Sequence, residues 1–523
     1  MGGCISGWFS TCPGFCNAIP VKKQSSDLGS EQKNTLTRLK KAVESGDRDR
    51  VTYLLKRKPQ LNCSDGGRIL WDAVLKDDGK IASMLVASGA DLTVKGPTAA
   101  GCSSFLHELV KSKHARHHRL AVEMIERGAD VNARDGHGVT VLQQAIEAGC
   151  PVSLIKELLR KGVQLTGTSI MRASQYFAPK ELVNLLVCVF LHEGSRTERV
   201  EELLLRCGGV DYAESNVLPL VEILLKFNLP AAQIDRKGRT LIRAIRMEKF
   251  EMVKLLIKYG FDVNARVPPI QGSYEMSTFN YMINTQLAFE LPLSAASQLL
   301  RTDIAEYLIR AGAKVNFPTS LSIYDGGYAI HGACEKGLVE NIRLLLRYGA
   351  DVNLVDSRRR TAFSIISFIE DLTETHQLFI KHFALLTLKG TTVNKRDLQL
   401  VMSSSKMHEY YNQCLNELEK MEKANIIRGI SFFSIFSMSE DELSFMIRST
   451  IFMNNYINRL TKLEFLNYYD DMVFLLENAE KRRCQLSDIE ELLYEVLLPC
   501  LPNLALERVI YFFYMHCSKN KVT

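Results

Sequence analysis

The stretch GGYAIHGACEKGLVENIRLLLRYGADVN, residues 326–353, decides the fold because its two ends recur elsewhere in the chain. The closing phrase YGADVN, from Tyr348 to Asn353, returns as RGADVN from Arg127, YGFDVN from Tyr259 and AGAKVN from Ala311, with a weaker copy SGADL from Ser88. The opening phrase GGYAIHGA returns as GVTVLQQA from Gly138, GRTLIRAI from Gly238, LPLSAA from Leu291 and RRTAFSII from Arg359. Between the two phrases lies room for one helical hairpin. In KFEMVKLLIKYG, Met252, Val253, Leu255, Leu256 and Ile257 make a broad apolar stripe of helical spacing. Gly260 follows it, at the left-handed position that ends a helix, and Gly89, Gly128, Gly162, Gly312 and Gly349 stand in the same place. One such hairpin cannot bury its own apolar face. Stacked hairpins make a continuous core.

Together these phrases resemble the ankyrin repeat, with its T-P-L-H-x-A opening and a period of roughly 33 residues. The resemblance implies an all-α chain: an ankyrin-repeat solenoid followed by a C-terminal helical domain. The position of the repeat's histidine falls at Asp72, His107, Gln143, Arg243, Ser294, His331 and Ser364. The gap from 143 to 243 holds about three periods, so two degenerate repeats are expected across 168–235. The gap from 243 to 294 is too long for one period and predicts a surface insertion near 267–285, where Pro268 and Pro269 stop helix formation. The organisation expected is a leader over 1–33, an array of about ten repeats over 34–391, and a helical domain over 392–523.

In the tail, HEYYNQCLNELEKMEKANI has helical spacing, and Ser439 with Glu442 and Ser487 with Glu490 form S-x-x-E capping boxes. The segments CLNELEKMEKANIIRGISFFSIF from Cys414 and LPNLALERVIYFF from Leu501 resemble the PRANC region of pox-type and insect ankyrin proteins. Members of that family end in an F-box-like helix introduced by Leu-Pro, which recruits the Skp-type adaptor of a cullin–RING ubiquitin ligase. The resemblance assigns Leu501 and Pro502 to the entry of that helix. Leu506, Val509, Ile510 and Phe513 share one face by helical spacing. The acidic residue usual after Leu-Pro is replaced by Asn503 and Leu504. A plain helical cap on the last repeat is the competing reading of the same residues.

Met1-Gly2-Gly3-Cys4-Ile5-Ser6 fits the N-myristoylation pattern. Gly2 is the acylation candidate and Cys4 the palmitoylation candidate, and two acyl chains make a stable anchor where one does not. The first 21 residues carry no charged side chain, so they lack the basic region of a secretory signal. The longest apolar run, Leu185 to Leu191, is far short of the roughly 20 residues of a membrane-spanning helix. A cytoplasmic protein is expected, held at the cytoplasmic face of a membrane by its amino terminus.

The 523 residues are 46% hydrophobic and 24% charged, in the range of folded globular chains. A net charge of +6 at this length gives no reason to expect nucleic acid as partner. Thirteen cysteines without a paired zinc spacing fit reduced thiols. The histidine-rich segment HELVKSKHARHHRL, with His107, His114, His117 and His118, is expected to form a solvated loop without a metal, while His107 and His331, at the repeat's histidine position, are expected to be structural and to bond backbone in the adjoining turn. Arg358, Arg359 and Arg360 fall at a repeat turn and are candidate contacts for an acidic partner. No phosphate loop, nucleophile elbow or paired-carboxylate motif stands out, so no enzyme and no cofactor is expected. The function expected is a protein-binding adaptor or scaffold, with a ubiquitin-ligase substrate receptor as the alternative.

Overall fold

Helices in pairs make up most of the residues before 390 that the structure describes. The computed structural model describes residues 29–98, 101–112, 114–176, 178–192, 195–209, 213–227, 229–231, 238–267, 290–319, 327–367, 371–427, 429–460 and 465–497. Two compact units divide it, Met1–Phe190 and Leu191–Thr523.

In the first unit the pairs are α1 (Ser30–Ser45) with α2 (Arg48–Leu55), α3 (Ser64–Leu75) with α4 (Gly79–Ala87), α5 (Phe105–Lys111) with α6 (Ala115–Glu126), α7 (Val141–Glu147) with α8 (Val152–Arg160), and α9 (Gly167–Gln175) followed by α10 (Lys180–His192). First helices stack on first helices and second on second. A short hairpin of β1 (Gly96–Thr98) and β2 (Gly101–Ser103) leads into α5. Gly96 is required there: a Cβ would lie 2.4 Å from the ring of Trp71, which itself stacks on Phe105 at 4.7 Å.

The second unit continues with α11 (Arg196–Cys207) and α12 (Glu214–Leu225), α13 (Arg239–Arg246) and α14 (Phe250–Lys258), α15 (Pro292–Ala296) and α16 (Asp303–Arg310), α17 (Ala329–Lys336) and α18 (Val339–Arg347), and α19 (Ala362–Ile366) and α20 (Glu374–Leu388). The stretch expected to be degenerate thus still folds as helix pairs. On α14, Met252, Val253 and Leu256 are fully buried, and Leu255 and Ile257 are half-buried at the flanks of the stripe. Full burial of each such side chain contributes roughly 1.5–3 kcal/mol. Gly128, Gly260, Gly312 and Gly349 close their helices with φ between 80° and 97°. At the last of them the Ala350 N–H turns back to the Leu345 carbonyl at 2.9 Å.

Beyond α20 lie α21 (Lys395–Ser403), α22 (Ser405–Lys423), a two-stranded turn of β3 (Asn425–Ile427) and β4 (Ile430–Ser431), α23 (Glu440–Met446), α24 (Thr450–Leu460) and the long α25 (Tyr469–Leu497). Ser439 caps α23 in a full capping box with Glu442. The second box expected, Ser487 with Glu490, would mark a helix start, but α25 runs through both residues and no helix begins there. Helix α25 lies against second helices of the array. Asp471 pairs with Arg347 of α18 and Lys381 of α20, each at 2.8 Å, and Asn478 accepts from Arg310 of α16 at 2.8 Å. Phe474 meets Tyr348 edge-on and lies under the Arg347 guanidinium at 4.6 Å.

Of the insertion expected near 267–285, all but Val267 lies outside the described residues, which stop at 267 and resume at 290. Its ends meet: Val267 and Glu290 exchange both backbone hydrogen bonds at 2.9 Å. In two uninterrupted turns the same kind of bridge joins Arg134 to Thr140 and Val355 to Thr361.

Candidate protein-interaction surface

The recurring D-V-N phrase is a staple between neighbouring repeats. Its aspartate accepts from the backbone two residues on, Asp130 from Asn132, Asp262 from Asn264 and Asp351 from Asn353, at 2.8–2.9 Å. Its asparagine reaches forward. Asn132 donates to the Gly162 carbonyl at 3.3 Å and accepts from the Gln164 N–H at 2.6 Å. Asn264 makes the same pair with Gly312 and Lys314, Asn316 with Gly349 and Asp351, and Asn353 with Thr392 and Asn394. An amide can do both because it carries a donor and an acceptor on one planar group.

The last of these staples reaches the tail. Lys389-Gly390-Thr391-Thr392-Val393-Asn394 is one more copy of the closing phrase, with Gly390 at φ +72° and Asn394 capping α21. It straddles the expected boundary between 391 and 392, and it is hidden in the sequence because Thr replaces both Ala and Asp.

Where the histidine position carries a ring N–H, it ties a first helix to the next turn. His107 donates through Nε2 to the Val139 carbonyl at 3.0 Å, and His331 to the Arg360 carbonyl at 3.1 Å. Burial lowers both pKa values, so both rings are neutral near pH 7. Trp71, and not Asp72, fills the position in α3: its indole donates to the Val94 carbonyl at 3.1 Å. In α13 the position belongs to Ile242 and not Arg243. Ala244 accepts from Lys249 as Ala145 accepts from Cys150 and Ala333 from Leu338, which fixes the register. Lys249 is buried and donates through Nζ to the carbonyls of Cys207 and Gly209, at the end of α11. A cation there complements the helix C-terminus.

The histidine-rich segment is not a solvated turn. Helix α6 begins at Ala115 and takes in His117 and His118. His117 is buried, with Nδ1 at 2.6 Å from the Ser112 hydroxyl and Nε2 at 2.5 Å from Asp77. Desolvation outweighs that carboxylate and lowers its pKa.

The three turn arginines have different surroundings. Asp356 accepts from the N–H groups of Arg358 and Arg360 and from the Arg360 guanidinium at 2.8 Å, and Arg360 also pairs with Glu335 at 2.6 Å. Arg358 and Arg359 are exposed and form no ion pair among the described residues. Arg359 sits at φ +58°, where the matching turn before α7 has Gly138 at φ +78°. A left-handed backbone costs a non-glycine residue roughly 1–2 kcal/mol. The lipidation candidates Gly2 and Cys4 lie outside the described residues, as do Leu501, Pro502, Leu506, Val509, Ile510 and Phe513.

Stacked helix pairs, a helix-terminating glycine and a turn tied by the first helix define an ankyrin-repeat array. Residues 325–357 match the ankyrin repeat family model. The chain is similar to two ankyrin repeat proteins of fowlpox virus (strain NVSL). It is 23% identical to FPV219 over 273 residues, 49% of this chain and 60% of that protein. It is 22% identical to FPV232 over 374 residues, 66% of this chain and 74% of that protein. The chain therefore spans less than two thirds of the first relative. Ankyrin repeats carry protein–protein interaction. Among the described residues no helix is long and apolar enough to cross a membrane.

Proposed function

We propose that the protein is a non-catalytic adaptor that binds a protein partner along the turns and first helices of its array. The observation that carries this reading is the asparagine ladder. It fixes successive turns to one another before any partner arrives, so binding there costs little ordering entropy. The side-chain contacts of α25 with the array fall on second helices and the C-terminal end of one of them (Arg310, Arg347, Tyr348, Lys381), not on first helices. A photo-crosslinker placed at Gln298 or Arg358 should capture the partner, and one at Lys258 on α14 should not. Equal capture from all three sites sinks the reading.

The amino terminus supports a lipid tether: Gly2 carries myristate and Cys4 palmitate, holding the adaptor at the cytoplasmic face of a membrane. Alkyne-myristate labelling of the native chain, lost in Gly2→Ala, tests this. Absence of label on the native chain removes it.

The Leu501-Pro502 entry and the stripe of Leu506, Val509, Ile510 and Phe513 support a second reading, recruitment of a Skp-type adaptor and delivery of the bound protein to a ubiquitin ligase. Co-precipitation of that adaptor with the native chain, and its loss on changing Ile510 and Phe513 together to Glu, tests it. Failure to recover the adaptor leaves this segment as packing on the last helices.

A further inference from the structure

Two departures from the repeat's own pattern place unpaired cations where the local fold favours another residue. In the closing phrase the third residue from the end is Asp at 130, 262 and 351, where it holds its own turn, but it is Lys314 in AGAKVN. In the turn before α19 the left-handed position that Gly138 fills elsewhere is Arg359. The first exchange gives up a turn-capping hydrogen bond and the second carries backbone strain. Neither gains an ion pair among the described residues. Rules of local structure broken without local compensation mark functional positions.

These residues have company. Lys314 lies 5.5 Å from the centre of the Phe317 ring, and Arg266, in the turn leading to α15, stacks on the same ring at 4.5 Å. Arg358 stands beside Arg359, and both are exposed. The nearby carboxylates are already engaged: Asp262, Asp351 and Asp356 cap their turns, and Glu335 holds Arg360. The surface thus presents two cationic points, Arg266 with Lys314 and Arg358 with Arg359, and the turns of Arg266 and Lys314 come two repeats and one repeat before that of Arg358.

We propose that these two points clamp an extended acidic segment of the partner protein. This deepens the adaptor reading and rests on it. Packed helices lie about 8–10 Å apart, so the Arg358 turn is about 8–10 Å from that of Lys314 and about 16–20 Å from that of Arg266. An extended chain covers about 3.3 Å per residue, so the segment carries its acidic groups about three to six residues apart. A protein ligand is favoured over single-stranded nucleic acid. Bases bind by stacking on open aromatic faces, and Phe317 has two cations over its ring.

The probe is a fluorescein-labelled peptide with two Glu pairs separated by a four-residue Gly-Ser spacer, titrated against the full chain and read by anisotropy. Binding should weaken with salt. It should fall at least tenfold in Arg358→Glu/Arg359→Glu and in Arg266→Glu/Lys314→Glu, and stay unchanged in Lys258→Glu on α14. Melting curves matched to native confirm that the variants fold. No binding to the native chain, or equal loss in Lys258→Glu, overturns the clamp, as does tighter binding of a twelve-nucleotide oligothymidine. If the partner mapped by cross-linking still binds the Arg358→Glu/Arg359→Glu variant at native strength, the clamp falls and the adaptor reading stands.

Discussion

Asn353 accepts a hydrogen bond from the Asn394 N–H at 2.8 Å, and this contact makes the last turn of the array the support of the tail. The same side chain donates to the Thr392 carbonyl at 3.0 Å. Net values of about 0.5–1.5 kcal/mol per hydrogen bond put Asn353→Ala at about 1–2 kcal/mol, since the site is partly solvated. Faster amide exchange is expected over α21 and α22, with α13 to α16 unchanged. Uniform acceleration through the second unit would contradict a local staple.

Arg359→Gly is expected to stabilise the second unit. Relief of the left-handed strain, roughly 1–2 kcal/mol, is offset in part by glycine's greater freedom when unfolded, roughly 0.5–1 kcal/mol. A rise in melting temperature of one or two degrees should follow, visible by circular dichroism. A fall would mean that the Arg359 side chain makes a contact the geometry does not reveal.

The helix pairs were legible because their signals are local. A glycine after an apolar stripe means a helix end wherever it stands, and all six of those glycines adopt positive φ as expected. Register was less legible. Asp72 and Arg243 were each one residue away from the side chain that fills the histidine position, since Trp71 and Ile242 do not look like histidine. The amide ladder was hidden because its partners are backbone atoms some 30 to 50 residues on, such as Asn264 with Lys314. Arg360 read as an exposed charge because the sequence does not show that Glu335 and Asp356 converge on it.

Asp397 offers a test by pH. It is buried, accepts from the Thr361 hydroxyl at 2.8 Å, and its Oδ2 has no partner. Burial raises its pKa above the usual carboxylate value, and the Thr361 bond only partly opposes that. The fold therefore prefers the protonated acid. This contribution is fully present below the unfolded pKa and is lost as pH rises through the folded one. Asp397→Asn keeps an acceptor for Thr361 and removes the charge. It should melt higher than native at pH 7, and the gap should close towards pH 4. A gap independent of pH would show that the carboxylate is not the cause.

Asp471 has the opposite sign. Burial pushes its pKa up, but Lys381 and then Arg347 outweigh burial and hold it below the usual carboxylate range. Its ionised form is what binds α25 to α18 and α20. That stability is present above the unfolded pKa and is lost as pH falls through the depressed folded value. Asp471→Asn leaves two cations facing a neutral amide, with Lys381 and Arg347 each more than four-fifths buried at the side chain. Removing one partner of a buried ion pair costs about 3–5 kcal/mol, and the remaining solvent access here lowers that to about 2–4 kcal/mol. The loss should fall on the docking of α25 rather than on the repeats. Hydrogen exchange should therefore speed up in 469–485 while the array keeps its protection. Adding Lys381→Met to Asp471→Asn should recover part of the loss, because it removes an unpaired buried charge. If the double variant is weaker than the single by the full cost of another lost contact, Lys381 acts through something other than Asp471.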